Sequence, residues 1–175
     1  MTEIQELLLE RMIGNRETIN DANEQQWKEK IHAIRSAGIS MGAEKLFDRE
    51  NAFMQCAYDM TLQGLEKWPE KNIDDRDIRI AEAAVDLSFS LINLGRYKEA
   101  EERVNEALSL LNQVFSRGQE RTILWRLHHA HFCKRRIMIR TGRKQEVVKE
   151  REILKRLKTN RLAAVGTSTE EQDQN

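Results

Sequence analysis

A short run in the last third of the sequence holds the side chains that most readily bind metals or act as nucleophiles: His128, His129, His131 and Cys133. On a helix, His128 with His131, or His129 with Cys133, would share one face. A tetrahedral zinc site needs four ligands, however, and usually a close pair of cysteines, which Cys56 is too isolated to complete. A cysteine and a histidine on one helix also seldom align for proton transfer. We therefore expect Cys133 to be a packing residue and the histidines to be surface or interface groups, with no metal site and no catalytic role.

The acidic residues form pairs but no recognisable catalytic arrangement. Glu101-Glu102, Asp74-Asp75 and Glu170-Glu171 occur in contexts typical of a solvated helix face, a helix start and a tail. The sequence has no glycine-rich phosphate loop, no HExxH zinc signature and no GxSxG nucleophile turn. We predict a protein that is not an enzyme and needs no cofactor. An enzyme with an unrecognised site is kept as an alternative.

Length and composition set the class of protein. The chain of 175 residues is about one domain long, and 33% of its residues are charged, with 8 Gly and 1 Pro, which favours helices. No run approaches the ~20 apolar residues of a membrane span, and the N-terminus has no signal-peptide pattern. Two cysteines do not make a disulfide framework. We expect a protein of the cytoplasm, or of the nucleus, without membrane contact.

The charges balance overall, at 29 basic and 29 acidic residues, but they are unevenly distributed. Residues 1–120 carry 15 basic and 23 acidic side chains, a net charge of −8. Residues 121–158 carry 13 basic and 3 acidic ones, a net charge of +10. Two interpretations stay open: the two parts attract each other within the fold, or the basic part is a cationic surface for an acidic ligand.

Apolar residues recur with helical spacing along the chain, without the alternation that is typical of strands. Glycines end several of the predicted helices, in particular Gly38 and Gly95, and Asp74 or Asp75 caps the fifth helix. From residue 160 the apolar content is too low for folding, which predicts a disordered tail. The predicted helices span residues 2–13, 17–37, 41–47, 51–68, 76–94, 97–116, 121–140 and 144–158.

The segment 81–112, AEAAVDLSFSLINLGRYKEAEERVNEALSLLN, resembles a tetratricopeptide repeat. The run GRYKEAEE is its most specific part. The sequence departs from the family at Ala84, where the family has Trp, and at Asn112, where it often has Pro. The positions that the resemblance assigns to packing within and around the helix pair are Leu87, Ser88, Leu91, Tyr97, Ala100, Val104 and Ala107.

The flanking sequence resembles two degenerate repeats. They align with the first one at shifts of 43 and 47 residues, longer than the usual period of ~34 and similar to the long-linker variant of kinesin light chains. In the last repeat Lys134 and Arg151 would occupy core positions. The resemblance implies an all-α fold, a right-handed superhelical stack of antiparallel helix hairpins. We divide the chain into an N-terminal helical cap (1–37), a repeat domain (38–159) and a disordered C-terminal tail (160–175).

In this family the first helix of each repeat lines a concave groove that binds partners. The resemblance therefore implies a non-enzymatic scaffold or adaptor that binds peptides or helices of other proteins. Arginines in the groove favour a partner with acidic and apolar segments, because Arg makes forked hydrogen bonds to carboxylates. Self-association through uncovered ends of the stack is a further possibility. The groove positions carried onto this sequence are Val85, Phe89 and Ile92, with Glu82 and Asn93, and then His129, Phe132, Arg136 and Arg140, with Ile139.

Three further interpretations concern partners. The basic segment 121–158 combines cationic and aromatic residues, so a nucleic-acid-associated helical protein is an alternative, although nucleic acid is the less favoured partner. Members that clamp the C-terminal carboxylate of chaperones have Lys and Asn where this chain has Val85 and Phe89, which argues against that role. Tryptophans at 27, 68 and 125 are expected to fill gaps between helices, and any that is exposed would be a candidate hot spot.

Overall fold

The structure is a computed structural model that describes residues 23–118 and 120–170, with only the helical backbone described at 120–122 and 161–170. These residues form six α-helices and no strand, which confirms the prediction of an all-α chain. The helix predicted over 2–13 lies outside the described residues. The helices are α1 (Glu24–Ala43), α2 (Phe47–Lys67), α3 (Ile73–Asn93), α4 (Tyr97–Ser116), α5 (Glu120–Arg140) and α6 (Lys144–Glu170).

The chain divides into two compact units, residues 1–69 and 70–175. In the first unit α1 and α2 pack together as a hairpin. In the second unit α3 packs on α4, α4 on α5 and α5 on α6, and α3 also contacts α5. Between residues 23 and 170 the described helices thus form one hairpin in the first unit and two in the second.

The hairpin of the first unit is held together around a buried tryptophan. Trp27 packs with Ile34, Phe53 and Ala57, and its indole Nε1 donates a hydrogen bond of 3.0 Å to the backbone carbonyl of Met60. This bond satisfies the polar atom of an otherwise apolar side chain. Trp27 is thus a gap-filling residue, as expected.

Gly38 lies inside α1 and does not end it, contrary to the prediction. A Cβ atom at Gly38 would lie 2.8 Å from Cε of Met54 and 3.1 Å from Cβ of Phe53. Glycine is needed here for the close approach of α1 to α2, not for a turn. The turn comes later, where Lys45 adopts a left-handed φ of 62°. The separate helix predicted over 41–47 therefore does not form.

In the second unit, α3 and α4 form the hairpin at the centre of the repeat-like segment. The helix predicted over 97–116 is observed with those limits. Gly95 has a φ of 76°, the left-handed region that glycine adopts without strain, and it reverses the chain between the helices. Six of the seven packing positions are buried: Leu87, Ser88, Leu91, Ala100, Val104 and Ala107.

The start of α3 is capped by Asn72, not by Asp74 or Asp75 as predicted. The Asn72 side chain accepts a hydrogen bond of 2.9 Å from the backbone N–H of Asp74. Asp74 is instead buried with its Oδ1 2.6 Å from Nε of Arg117, whose Nη2 also lies 2.7 Å from Oδ2 of Asp77. The hydrogen bond with Asp77 is the main cause that raises the pKa of the Arg117 guanidinium. Because the helix begins at Ile73, earlier than predicted, Asn72 takes the N-cap position and the two aspartates lie inside the first turn.

In the last hairpin, α5 with α6, the two basic residues that the repeat pattern assigns to core positions do not lie in the core. Lys134 is half-buried, with Nζ 3.7 Å from Oε1 of the buried Glu150, and Arg151 is exposed. α6 continues to Glu170 rather than ending near Lys158 as predicted. Residues 161–164 are arginine, leucine and two alanines, which are strong helix formers and favour this extension.

Candidate functional site

An exposed apolar stripe runs along α5. Trp125, Phe132 and Ile139 are 46%, 37% and 50% exposed, although large apolar side chains usually lie in the core. They are spaced by seven residues, and seven residues fall only about 20° short of two helical turns. The three side chains therefore share one face. At 1.5 Å per residue, this α5 stripe is about 21 Å long.

The remaining faces of α5 anchor it in the second unit. Ile123, Leu127, Ala130 and Ile137 are all buried, as α5 packs against α3, α4 and α6. This packing fixes the rotation of the helix about its axis. The α5 stripe thus lies on a face whose position is set by three neighbouring helices.

Polar side chains of α5 contact α3 at two places along the helix. Nε of Arg126 lies 2.5 Å from Oε1 of Glu82 near the start of α5. Further along, Cζ of Arg136 lies 4.5 Å from the centre of the Phe89 ring, and its Nη2 donates a hydrogen bond of 3.3 Å to Oδ1 of Asn93. The guanidinium over the ring is a cation–π contact. These contacts hold the basic side chains of α5 beside the aromatic residue of α3.

The structure brings together most of the predicted groove residues. His129 and Arg136 are half-buried on α5, Phe132 and Arg140 are exposed on the same helix, and Phe89 is half-buried beside Arg136 on α3. They form one surface with the α5 stripe.

Two predicted groove residues are not on an exposed face. Val85 and Ile92 are buried, because α3 is packed on most of its circumference. The repeat pattern carries no information about how much of α3 is covered by other helices. At 3% and 4% exposure, the two side chains offer a partner almost no surface.

The α5 stripe is flanked by cations. Arg135 lies between Phe132 and Ile139 in sequence, and its buried Nε has no hydrogen-bond partner among the described residues. Arg140 is exposed at the end of the helix. After Glu120, α5 contains no acidic residue. The face therefore combines apolar contact area with positive charge that α5 itself does not neutralise.

Another arginine of the basic segment is neutralised within the fold. Arg143, in the turn after α5, places Nη1 and Nη2 2.8 and 3.0 Å from the two carboxylate oxygens of Glu101 on α4. This forked hydrogen bond is the main cause that raises the pKa of the Arg143 guanidinium. Together with the pairing of Arg126 and Glu82, it shows that part of the charge asymmetry stabilises the fold.

Two members of the histidine and cysteine cluster are engaged within the fold. Burial raises the pKa of the Cys133 thiol to about 11, so it stays protonated at neutral pH. Nδ1 of His131 lies 2.7 Å from Oε2 of Glu150, which orients this ring toward α6. Among the described residues, no group of three or more His, Cys, Asp or Glu side chains is arranged to hold a metal ion.

A cavity of about 560 Å³ opens near the start of α3. Four carboxylates line it, and three of them are paired: Oε1 of Glu70 lies 3.0 Å from Nε of Arg79, and Asp74 and Glu82 contact Arg117 and Arg126. Paired carboxylates of this kind hold the helices together.

The sequence predicts this surface only in part. The repeat positions include Ile139, and Trp125 follows only from the expectation that an exposed tryptophan is a candidate hot spot. The repeat positions do not include Arg135. The signal that unites these residues is the seven-residue spacing of Trp125, Phe132 and Ile139 on one basic helix.

Comparisons with known proteins give no relative. No family model, no curated protein and no solved structure matches the chain. Within the described part of the chain, no helix is both long enough and apolar enough to cross a membrane.

Proposed function

We propose that this chain is a non-enzymatic protein-interaction module of the tetratricopeptide type, and that it binds partner proteins through the α5 stripe and its flanking cations. The contact residues are Phe132, Arg136 and Arg140, with His129 and Phe89 at the edge. The role would be that of a scaffold or adaptor.

The packing of the second unit supports the repeat-like part of the proposal. Small residues at Ser88, Ala100 and Ala107 are buried where the repeat pattern requires close helix contact. The first helices of the two consecutive hairpins, α3 and α5, also contact each other. That neighbour-to-neighbour packing is what a stack of repeats needs. The right-handed superhelical arrangement of the stack is part of the proposal.

The single observation that carries the function is the exposure of three large apolar residues in register on one basic helix. Isolated exposed apolar side chains are common, but an aligned set with a tryptophan and arginines is typical of protein interfaces. Tryptophan and arginine are also the residues most often found at binding hot spots.

The proposal is tested by affinity capture from a lysate with nuclease present. The site variant is Phe132→Ala/Arg136→Glu/Arg140→Glu. The control variant, Val148→Ala/Arg151→Glu/Arg156→Glu, makes the same types of change at exposed positions of α6. Specific proteins should be lost with the site variant and kept with the control. Equal profiles for the two variants would reject the α5 surface, and circular dichroism verifies that both variants are folded.

A nucleic-acid-binding protein is the second candidate, favoured by the basic segment 121–158 with its exposed Trp125. Phosphate binding requires several unneutralised cations in a row. In the structure Arg126 and Arg143 are paired with Glu82 and Glu101, which interrupts the positive surface. Affinity for a single-stranded RNA, with a slope of several in log K against log salt, would favour this candidate instead.

A further inference from the structure

We infer that the occupant of the α5 stripe is an acidic amphipathic helix of a partner protein, lying along α5 in a coiled-coil-like register. This inference rests on the proposed function and names the partner class for that surface. It concerns the stripe of Trp125, Phe132 and Ile139 and the cations beside it.

The spacing of the α5 stripe favours a helical occupant. A repeat of exactly seven residues keeps apolar side chains on the seam between two helices that cross at about 20°. An extended peptide repeats its side chains every two residues, about 6.6 Å apart, and does not match apolar sites separated by about 10.5 Å. The α5 stripe, about 21 Å long, corresponds to two heptads of a helix.

The flanking positions favour an acidic occupant. His128 and Arg135 lie on one side of the stripe, and His129 and Arg136 lie on the other, each pair again seven residues apart. With the stripe at heptad position a, the first pair takes position d, within the seam, and the second pair takes position e, beside the seam, where charge selects the partner. Arg135 keeps a buried Nε without a hydrogen-bond partner among the described residues, a donor that a carboxylate of the occupant would satisfy.

Charge also argues against a second copy of α5 as the occupant. From residue 121 to residue 140 the helix has no acidic side chain, so either orientation of two α5 helices would place cations against cations. Like charges at flanking positions oppose pairing. The occupant must therefore bring the carboxylates itself.

The test uses the full chain and designed peptides of about three heptads. The first peptide has Leu at the seam positions and Glu at the flanking ones. A second has the same composition, scrambled to remove the heptad and with one central Pro. A third keeps the heptad but replaces Glu by Lys. Titration calorimetry should detect saturable binding of the first peptide only.

Variants of the chain locate the binding. Trp125→Ser/Phe132→Ser/Ile139→Ser removes the stripe, and Arg135→Glu/Arg140→Glu reverses two flanking charges. Each should weaken binding of the acidic helix at least about tenfold, as truncation of interface hot spots does. The reversed-charge variant should also recover affinity for the Lys peptide. The matched controls, Val148→Ser and Arg151→Glu/Arg156→Glu, change exposed residues of α6 and should leave the affinity unchanged.

Four outcomes overturn the inference. Two of them are binding of the scrambled peptide as tight as that of the helix, and no binding of the first peptide. If lysate partners still depend on Phe132 and Arg140 in either case, the proposed function stands and only its helical partner is wrong. A single-stranded RNA that displaces the helix would make the surface one for nucleic acid. Sedimentation showing a dimer that the stripe variant abolishes would make a second copy the occupant. If lysate capture fails as well, the proposed function itself is rejected.

Discussion

In the second unit, α3 and α5 are the first helices of two consecutive hairpins. They occupy comparable positions but differ in how much of their surface other residues cover. α3 is covered on most of its circumference, and its buried Asp74 and Asp77 are matched by Arg117. α5 is buried on one side and carries the apolar stripe on the other, beside the exposed Arg140 and beside Arg135, whose Nε has no hydrogen-bond partner among the described residues. The difference indicates that α3 stabilises the unit, whereas α5 keeps an exposed face, the one on which the proposed partner would bind.

The largest expected effect is the loss of a core leucine from α3. Leu87→Ala should lower the free energy of unfolding by about 2–5 kcal/mol, because Leu87 is almost fully buried and its removal leaves a cavity. Chemical denaturation followed by circular dichroism measures this change. A loss below about 1 kcal/mol would mean that α3 is less tightly packed than the structure shows.

The next effect comes from the boundary between the two faces of α5, at Cys133. Its thiol pKa is raised from 9.0 to about 11, so the folded state retains the proton to higher pH than the unfolded chain. Below pH 9 the thiol is protonated in both states and the free energy of unfolding does not depend on it. Between pH 9 and pH 11 the free energy of unfolding falls by about 2–3 kcal/mol. Unfolding titrations over this range should show a steeper fall in stability for the wild type than for Cys133→Ala. Equal slopes would show that the thiol is not buried as described.

A smaller effect is expected where the two helices meet. Arg126→Ala leaves the half-buried carboxylate of Glu82 without its partner, at a cost of about 1 kcal/mol. The double variant Arg126→Ala/Glu82→Ala should cost less than the sum of the single changes, as coupled residues do. If the free-energy costs of the two single changes add up to the cost of the double variant, the contact between Arg126 and Glu82 is contradicted.

The smallest effect on stability is expected for the α5 stripe itself. Trp125→Ser/Phe132→Ser/Ile139→Ser should change the free energy of unfolding by about 0.5 kcal/mol or less per site, since these side chains are exposed. Denaturation of this variant beside Leu87→Ala makes the contrast direct. A large loss at the stripe would show that its residues pack within the fold and would remove the difference between α3 and α5.

Local signals in the sequence predicted the helix pair around Gly95 well. The run GRYKEAEE combines a glycine that can take a left-handed φ with Ala100, a small residue in the helix that follows, and these two signals lie five residues apart in the chain. Gly38 shows what such local signals do not reveal. A glycine that ends a helix and a glycine that permits close packing look alike until the residues opposite it, Met54 and Phe53, are known.

The candidate site was predicted only in part, because the local sequence does not show which other helices cover a position. The repeat positions gave Phe132, Arg136 and Arg140, which do lie on one face. Val85 and Ile92 occupy equivalent positions on α3 but are buried, because coverage by other helices is not encoded in the position itself. Whether Trp125 would be exposed depended equally on the rotation of α5, which long-range packing determines.

The uneven placement of the tryptophans gives the chain a built-in optical reporter. Trp27 lies in the core of the first unit, 6.1 Å from the ring of Trp68, whereas Trp125 is exposed on α5 with Cζ of Arg126 4.6 Å from its ring centre. Emission from Trp27 should be blue-shifted and shielded from solutes. Emission from Trp125 should be red-shifted, and the surrounding positive charge should make it more sensitive to quenching by iodide than by caesium. Trp68 of the first unit is half-buried with Nζ of Lys67 4.5 Å from its ring centre, so iodide reaches it as well. The part of the iodide quenching that Trp125→Phe removes would therefore report events at α5.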